Sequence, residues 1–340
     1  MAPPVTVSER REIARLLFES ARDLGRAGVV ADDFLKPMRP HVPEDVLAAL
    51  RPHLRQPDRR TGVSTIPGLL AEFDGMEPTP VRWGLPQTER TRTLDLALTV
   101  VAFALGEPFA WAGQQEGRLV HDIVPTPGSE DKQVGASSLT TLEWHTEDSF
   151  HPERAQALML YCVRNPDGVG SRVSSIRDTG LSEERLDILR RPEVVILPDD
   201  SYPATWKGRD CGTGQGGVRT VWDAEDGPCV RYDPAYSRFL TDDPDFHEAY
   251  RALGEALEKS SVTVGIEPGD ILLIDNDLAV HGRAPFRPSY DGTDRWLKRL
   301  QLRLPRPRPA TEAAETGYGQ RPLNVGAPGT VAAPGTTGTV

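Results

Sequence analysis

The sequence predicts an α+β, mostly β fold: a helical part over about residues 1–110, then a sandwich or barrel of the jelly-roll kind over about 111–304. Apolar residues recur at helical spacing up to residue 105. From about residue 117 short β-prone runs take over. Turn residues rather than crossover helices separate them, which argues against a βαβ fold. At 340 residues the chain can bury a sizeable core as one large domain or two modest ones.

In chain order, the run Thr6-Val7-Ser8-Glu9 has the form of a capping box. Ile13, Leu16, Leu17, Ala21 and Leu24 then lie on one helical face. Pro43 opens a short second helix carrying Val46, Leu47 and Leu50. A third, over 89–105, turns almost wholly apolar in its second half and stops at Gly106 and Pro108. A helix apolar on most faces belongs against a sheet. The β-prone runs are 118–124, 157–163, 172–176, 194–197, 219–222, 230–232, 261–266, 270–274, 279–282 and 296–302. Turns such as Asn165-Pro166-Asp167-Gly168 and Pro268-Gly269-Asp270 punctuate them. One helix interrupts at 243–259, with Phe246, Tyr250, Leu253 and Leu257 on one face. From Pro305 onward little is left to bury, so a single domain over 1–304 followed by a mobile tail over 305–340 is expected.

Composition excludes several functions. Lys and Arg number 39 against 50 Asp and Glu, a formal charge of −11, which disfavours nucleic acids and anionic membranes as partners. Cys162, Cys211 and Cys229 are too few and too scattered for a disulfide framework or a Cys-type zinc site. The charged N-terminus lacks the apolar run of a signal peptide, and the longest apolar stretch, 96–105, is too short to span a bilayer. A cytoplasmic location is expected. The glycine-rich stretch 208–220, which contains Cys211, is followed by no lysine and no clear helix start. It reads as a lid hinged on its glycines rather than a phosphate loop.

Seven histidines leave each open to weighing. His145 and Glu147 stand two apart, so on an extended strand both project to one face. His281 follows the run 270–274. Two imidazoles and one carboxylate form the facial triad of a non-haem Fe(II) oxygenase, with open coordination positions. A second His-x-Glu, His151-Pro152-Glu153, is interrupted by proline and makes a poor strand. Beyond His281, Arg295, Leu297 and Arg299 share one strand face, with Trp296, Lys298 and Leu300 on the other. Two inward guanidinium groups suit bidentate carboxylate binding; the plainer reading is a basic edge strand.

WHTEDSFHP, the block GDILLIDNDLAVHGRAPF and the Arg295/Arg299 pair together resemble the clavaminate-synthase-like Fe(II)/2-oxoglutarate-dependent oxygenases. The resemblance runs over about residues 90–304. Within that family it is nearest to the β-hydroxylases of antibiotic pathways that act on arginine and enduracididine. It implies a double-stranded β-helix (jelly-roll, cupin-like) core flanked by helices, with Fe(II), 2-oxoglutarate and O₂ as cofactor and cosubstrates. By position it makes His145, Glu147 and His281 the iron ligands. Arg295 would hold the distal carboxylate of 2-oxoglutarate, and Arg299 the α-carboxylate of an amino acid. Gln114 or Gln115 matches a glutamine at the substrate amino group, and Ser171 or Ser174 would add a hydroxyl at the cosubstrate carboxylate. Asp233 matches one of two aspartates that grip a guanidinium. Ala235 stands where the second would be, which favours a cyclised guanidino group over plain arginine.

The resemblance thus implies hydroxylation at the β-carbon (C3) of a free guanidino amino acid, enduracididine ahead of L-arginine, in nonribosomal peptide antibiotic biosynthesis. A same-fold desaturase, or a hydroxylase acting at another carbon or on another amino acid, would use the same ligands. Glu147 fills the position a halide would need in a halogenase. A non-catalytic metal-binding ligand sensor is the reading from another class, and it gives Arg295 no reason to face inward.

Overall fold

The computed structural model describes residues 7–70, 73, 75–202, 216–313 and 320–328. Helix α1 (Val7–Arg26) buries Ile13, Leu17 and Ala21; Thr6 lies outside the described residues. Strand β1 (Met38–Arg39) precedes α2 (Glu44–Leu50), which starts after Pro43 and buries Val46, Leu47 and Leu50. Strand β2 (Val63–Ile66) leads to α3 (Glu89–Leu105). The Thr88 hydroxyl accepts the Thr91 N–H at 3.1 Å and caps α3. The helix ends at Gly106, where any Cβ would meet the Arg303 carbonyl oxygen at 2.4 Å.

The remaining strands are short. They are β3 (Glu107–Trp111), β4 (His121–Ile123), β5 (Leu142–His145), β6 (Ala157–Arg164) and β7 (Ser171–Ser175). After α4 (Glu183–Leu189) come β8 (Val194–Ile196), β9 (Val221–Ala224), β10 (Gly227–Val230) and β11 (Ser237–Phe239). Helix α5 (Pro244–Ser260) is followed by β12 (Val262–Val264), β13 (Ile271–Asp275), β14 (Ala279–Arg283) and β15 (Trp296–Arg303). Finally come α6 (Ala310–Ala313), β16 (Pro322–Asn324) and β17 (Ala327–Pro328).

Two antiparallel sheets make the jelly roll. The larger orders its strands β16-β3-β15-β6-β13-β2, with β4 also paired to β15; the smaller is β12-β7-β14-β5. Strands β6 and β13 are apolar on both faces because each face has its own core. Ala157, Met159, Tyr161, Ile271 and Leu273 pack outward against α1, α2 and α3. Leu158, Leu160, Cys162, Leu272 and Ile274 pack inward with Val173 and Val280 of the smaller sheet. The apolar α3 is therefore covered on one side by the sheet, as its sequence predicts, and on the other by α1.

The strand expected at 230–232 is displaced, because Gly227–Val230 turns back as a hairpin on β9. Strands β1, β2, β3, β11, β16 and β17 and helices α4 and α6 have no counterpart in the sequence reading. β3 and β16 contain proline, and all are too short for a clear period.

The expected mobile tail needs correction for its described part. Arg308 donates to Asp277 Oδ1 at 2.7 Å and to the carbonyl oxygens of Pro152, Arg154 and Ala155. Glu312 is fully buried, 3.3 Å from Arg154 and 3.7 Å from Arg231. β16 extends the larger sheet through β3. Charge complementarity docks residues 308–312, so hydropathy gives no sign of that return. Residues 314–319 and 329–340 lie outside the described residues. Among the described residues no helix is long and apolar enough to cross a membrane.

Candidate active site

His281 pairs in register with His145 across β14 and β5, which sets their rings side by side with centroids 4.2 Å apart. Glu147 reaches them differently from the sequence expectation. β5 ends at His145, and Glu147 sits in the following turn, where Asp148 has φ +50°. Asn276 fixes that turn: its Oδ1 accepts the Glu147 N–H at 2.7 Å, and its Nδ2 donates to the Glu147 and Ala155 carbonyls. Glu147 Oε2 then lies 3.9 Å from His145 Nε2 and 3.5 Å from His281 Nε2. One donor atom from each of the three falls within 4.8 Å of the others.

These residues fit Fe(II). His145 Nδ1 lies 2.9 Å from the Glu143 carbonyl, so its proton belongs there and Nε2 keeps a free lone pair. Burial, with His281 beside it, pulls His145 down to about 4 and leaves it neutral. The Arg299 guanidinium holds the Glu147 carboxyl well below its ordinary range against the opposing effect of burial. His151 stands apart: it is buried edge-on to Trp111 at 4.6 Å, with Nδ1 accepting the Glu153 N–H. The second His-x-Glu is thus accounted for by packing.

A cavity of about 240 Å³ opens beside the three donors. Arg295, Ser171, Leu160 and Leu297 line it, and Arg295 is buried with no acidic partner among the described residues. Desolvation brings that guanidinium down to about 10. Ser174 instead faces away, bonded to Ser260 Oγ at 2.9 Å. Arg299 also lines the cavity. Its Nη1 donates to Glu147 Oε1, and its Nη2 meets His121 Nδ1 at 2.9 Å and Gln114 Oε1 at 3.3 Å.

Gln114 and Gln115 both line the cavity but are used differently. Gln115 clasps the Asp122 backbone through both ends of its amide, whereas Gln114 donates to Asp148 at 2.9 Å. Asp148, buried beside Glu147, also accepts from Trp111 Nε1, the Tyr202 hydroxyl and Gln301 Nε2. Burial, then the Glu147 charge, raises it to about 7.

Asp233 is buried behind the wall rather than among the lining residues, with Ser149 Oγ at 3.5 Å. Burial and then Asp199 push its carboxyl well above the ordinary range. Besides Glu147 and Asp122, the lining acids are Asp199 and Asp200, next to Ser201, and sequence reasoning missed these three. Burial raises Asp199 to about 6. Asn276, Asp148 and His121 were missed too. Each is defined by a partner from a distant segment, so no local pattern marks it; only the acid-rich run Asp199-Asp200 carries a local signal. Most of the glycine-rich stretch, with Cys211, lies outside the described residues.

The chain matches the family described as taurine catabolism dioxygenase TauD, TfdA over residues 104–301. An enduracididine beta-hydroxylase of Streptomyces hygroscopicus is 35% identical over 297 residues, covering 81% of this chain and 86% of that protein. An L-ornithine/L-arginine 3-hydroxylase of Catenulispora acidiphila is 34% identical, over 73% of this chain and 78% of the other. The crystal structure of the non-heme iron oxygenase OrfP in complex with Fe, succinate and (3S)-hydroxy-L-Arg gives a TM-score of 0.75 at 35% identity. It covers 88% of this chain and 93% of that one.

Proposed function

This chain belongs to the taurine catabolism dioxygenase TauD, TfdA family, and from that premise we propose that it hydroxylates the β-carbon (C3) of a free guanidino amino acid, enduracididine ahead of L-arginine, in nonribosomal peptide antibiotic biosynthesis. It is a non-haem Fe(II)/2-oxoglutarate-dependent dioxygenase. When bound, the iron and 2-oxoglutarate supply O₂-dependent C–H hydroxylation, with the cosubstrate converted to succinate and CO₂.

The observation that carries the reading is the division of charge around the three donors. Arg295 is buried with no acidic partner among the described residues, whereas Arg299 is gathered with Asp148 and Asp199, and Asp233 interacts with Asp199. In the reaction His145, Glu147 and His281 would hold the iron, while Arg295 and Ser171 would receive the distal carboxylate of 2-oxoglutarate. Arg299 would take the substrate α-carboxylate, and Gln114 its amino group. A substrate cation facing Asp199, with Asp233 behind it, would offset the acidic excess at that end. Fixing both ends of the amino acid presents one carbon to the oxidant. The relatives named for enduracididine and for ornithine and arginine support this substrate class.

The test is a competition among enduracididine, arginine, lysine and asparagine with Fe(II), 2-oxoglutarate and ascorbate, followed by product mass and the position of the new oxygen. Enduracididine is expected to lead, with oxygen on Cβ. Preferred turnover of lysine or asparagine sinks the reading.

A further inference from the structure

His281 and Arg283 stand two apart on β14, so their side chains leave the strand on the same face. Arg283 pairs in register with Ser171 of β7, and both line the cavity together with Arg295. Arg283 is 4% exposed and Arg295 7%. Among the described residues neither has an acidic group within ion-pair distance. One Arg283 N–H reaches Ser137 Oγ at 2.9 Å, and the guanidinium lies 4.7 Å over the Phe286 ring. Its Nη1 has no acceptor, nor has Nε of Arg295.

Other buried cations of this fold are matched: Lys298 has Asp95 and Asp122, and Arg154 has Glu312. Two buried guanidinium groups on one wall, with no acidic partner among the described residues, is an arrangement that an arriving anion relieves.

We propose that Arg283 is a second anion-binding residue of the cosubstrate end, receiving the distal carboxylate of 2-oxoglutarate jointly with Arg295 and beside Ser171. This rests on the placement of 2-oxoglutarate at Arg295 given above. Two guanidinium groups facing one carboxylate make the site select dicarboxylic 2-oxo acids over monocarboxylic ones.

The experiment is anaerobic calorimetry on the Fe(II)-loaded protein with 2-oxoglutarate and with pyruvate, which lacks the distal carboxylate. Arg283→Gln is expected to weaken 2-oxoglutarate roughly ten- to hundredfold, the usual effect of losing a charged hydrogen-bond donor, while pyruvate affinity stays unchanged. Unchanged 2-oxoglutarate binding, or equal losses for both acids, overturns the proposal. Arg283→Lys keeps the charge and guards against misfolding. It is expected to lower the ratio of 2-oxoglutarate to pyruvate affinity, and a ratio equal to that of the unsubstituted protein counts against the proposal. If Arg295→Gln also binds 2-oxoglutarate normally, the placement of the cosubstrate itself has failed.

Discussion

His121 and Arg299 meet at 2.9 Å, a contact in which the imidazole is the acceptor. Burial, with Arg299 adding to it, pulls His121 down to about 3, so the ring stays neutral and its proton sits on Nε2. Together with Glu147 and Gln114, this ring fixes where the Arg299 fork points. His121→Phe is therefore expected to raise KM for the amino acid about tenfold, with KM for 2-oxoglutarate unmoved. His121→Asn restores an acceptor and should recover most of the loss; steady-state kinetics in both substrates checks this. The residues legible in the sequence were those whose type is rare and whose spacing is diagnostic: His145, His281, Arg295 and Arg299. His121, Asn276 and Asp148 carry no such mark, because what makes them functional is a partner brought from elsewhere by the fold.

Strand β15 works on two faces. Its inward residues Leu297, Arg299 and Gln301 build the cavity or its wall, and Trp296, Lys298 and Leu300 face the helices. Lys298 is fully buried, 2.9 Å from Asp95 of α3 and 2.7 Å from Asp122 of β4. Arg118 approaches the same two carboxylates. The cluster balances its charge and ties the arginine-bearing strand to the helical layer. Lys298→Met is expected to cost about 3–5 kcal/mol, measured by urea unfolding, and the additional change Asp95→Leu should return part of it. The bounds of α3 were legible from its apolar run and from the stop at Gly106 and Pro108. The alternation of β15 was legible too. The ion cluster between them was not, since Asp95 sits unremarked inside an apolar helix.

At the scale of the molecule, two cores share the larger sheet, and the segment after β15 returns onto residues 152–155, Asp277 and Arg231. Glu312 supplies the carboxylate that Arg154 and Arg231 share, and Arg231 lies two residues before Asp233. Glu312→Gln is expected to destabilise the protein by about 3–5 kcal/mol and to lower its melting temperature. Ending the chain at Leu304 should do more, because the Arg308 contacts go as well. The jelly roll was legible from its string of short β-prone runs, whereas this return was invisible to hydropathy. It also imposes an order on biosynthesis. A ribosome makes Glu312 well after both arginines, so until it emerges the nascent chain holds Arg154 and Arg231 without the Glu312 carboxylate. The contact that draws β10's end and the turn after His151 onto the returning segment therefore forms only after the jelly-roll strands have been made, and the partly made enzyme is the form exposed to chaperones and proteases.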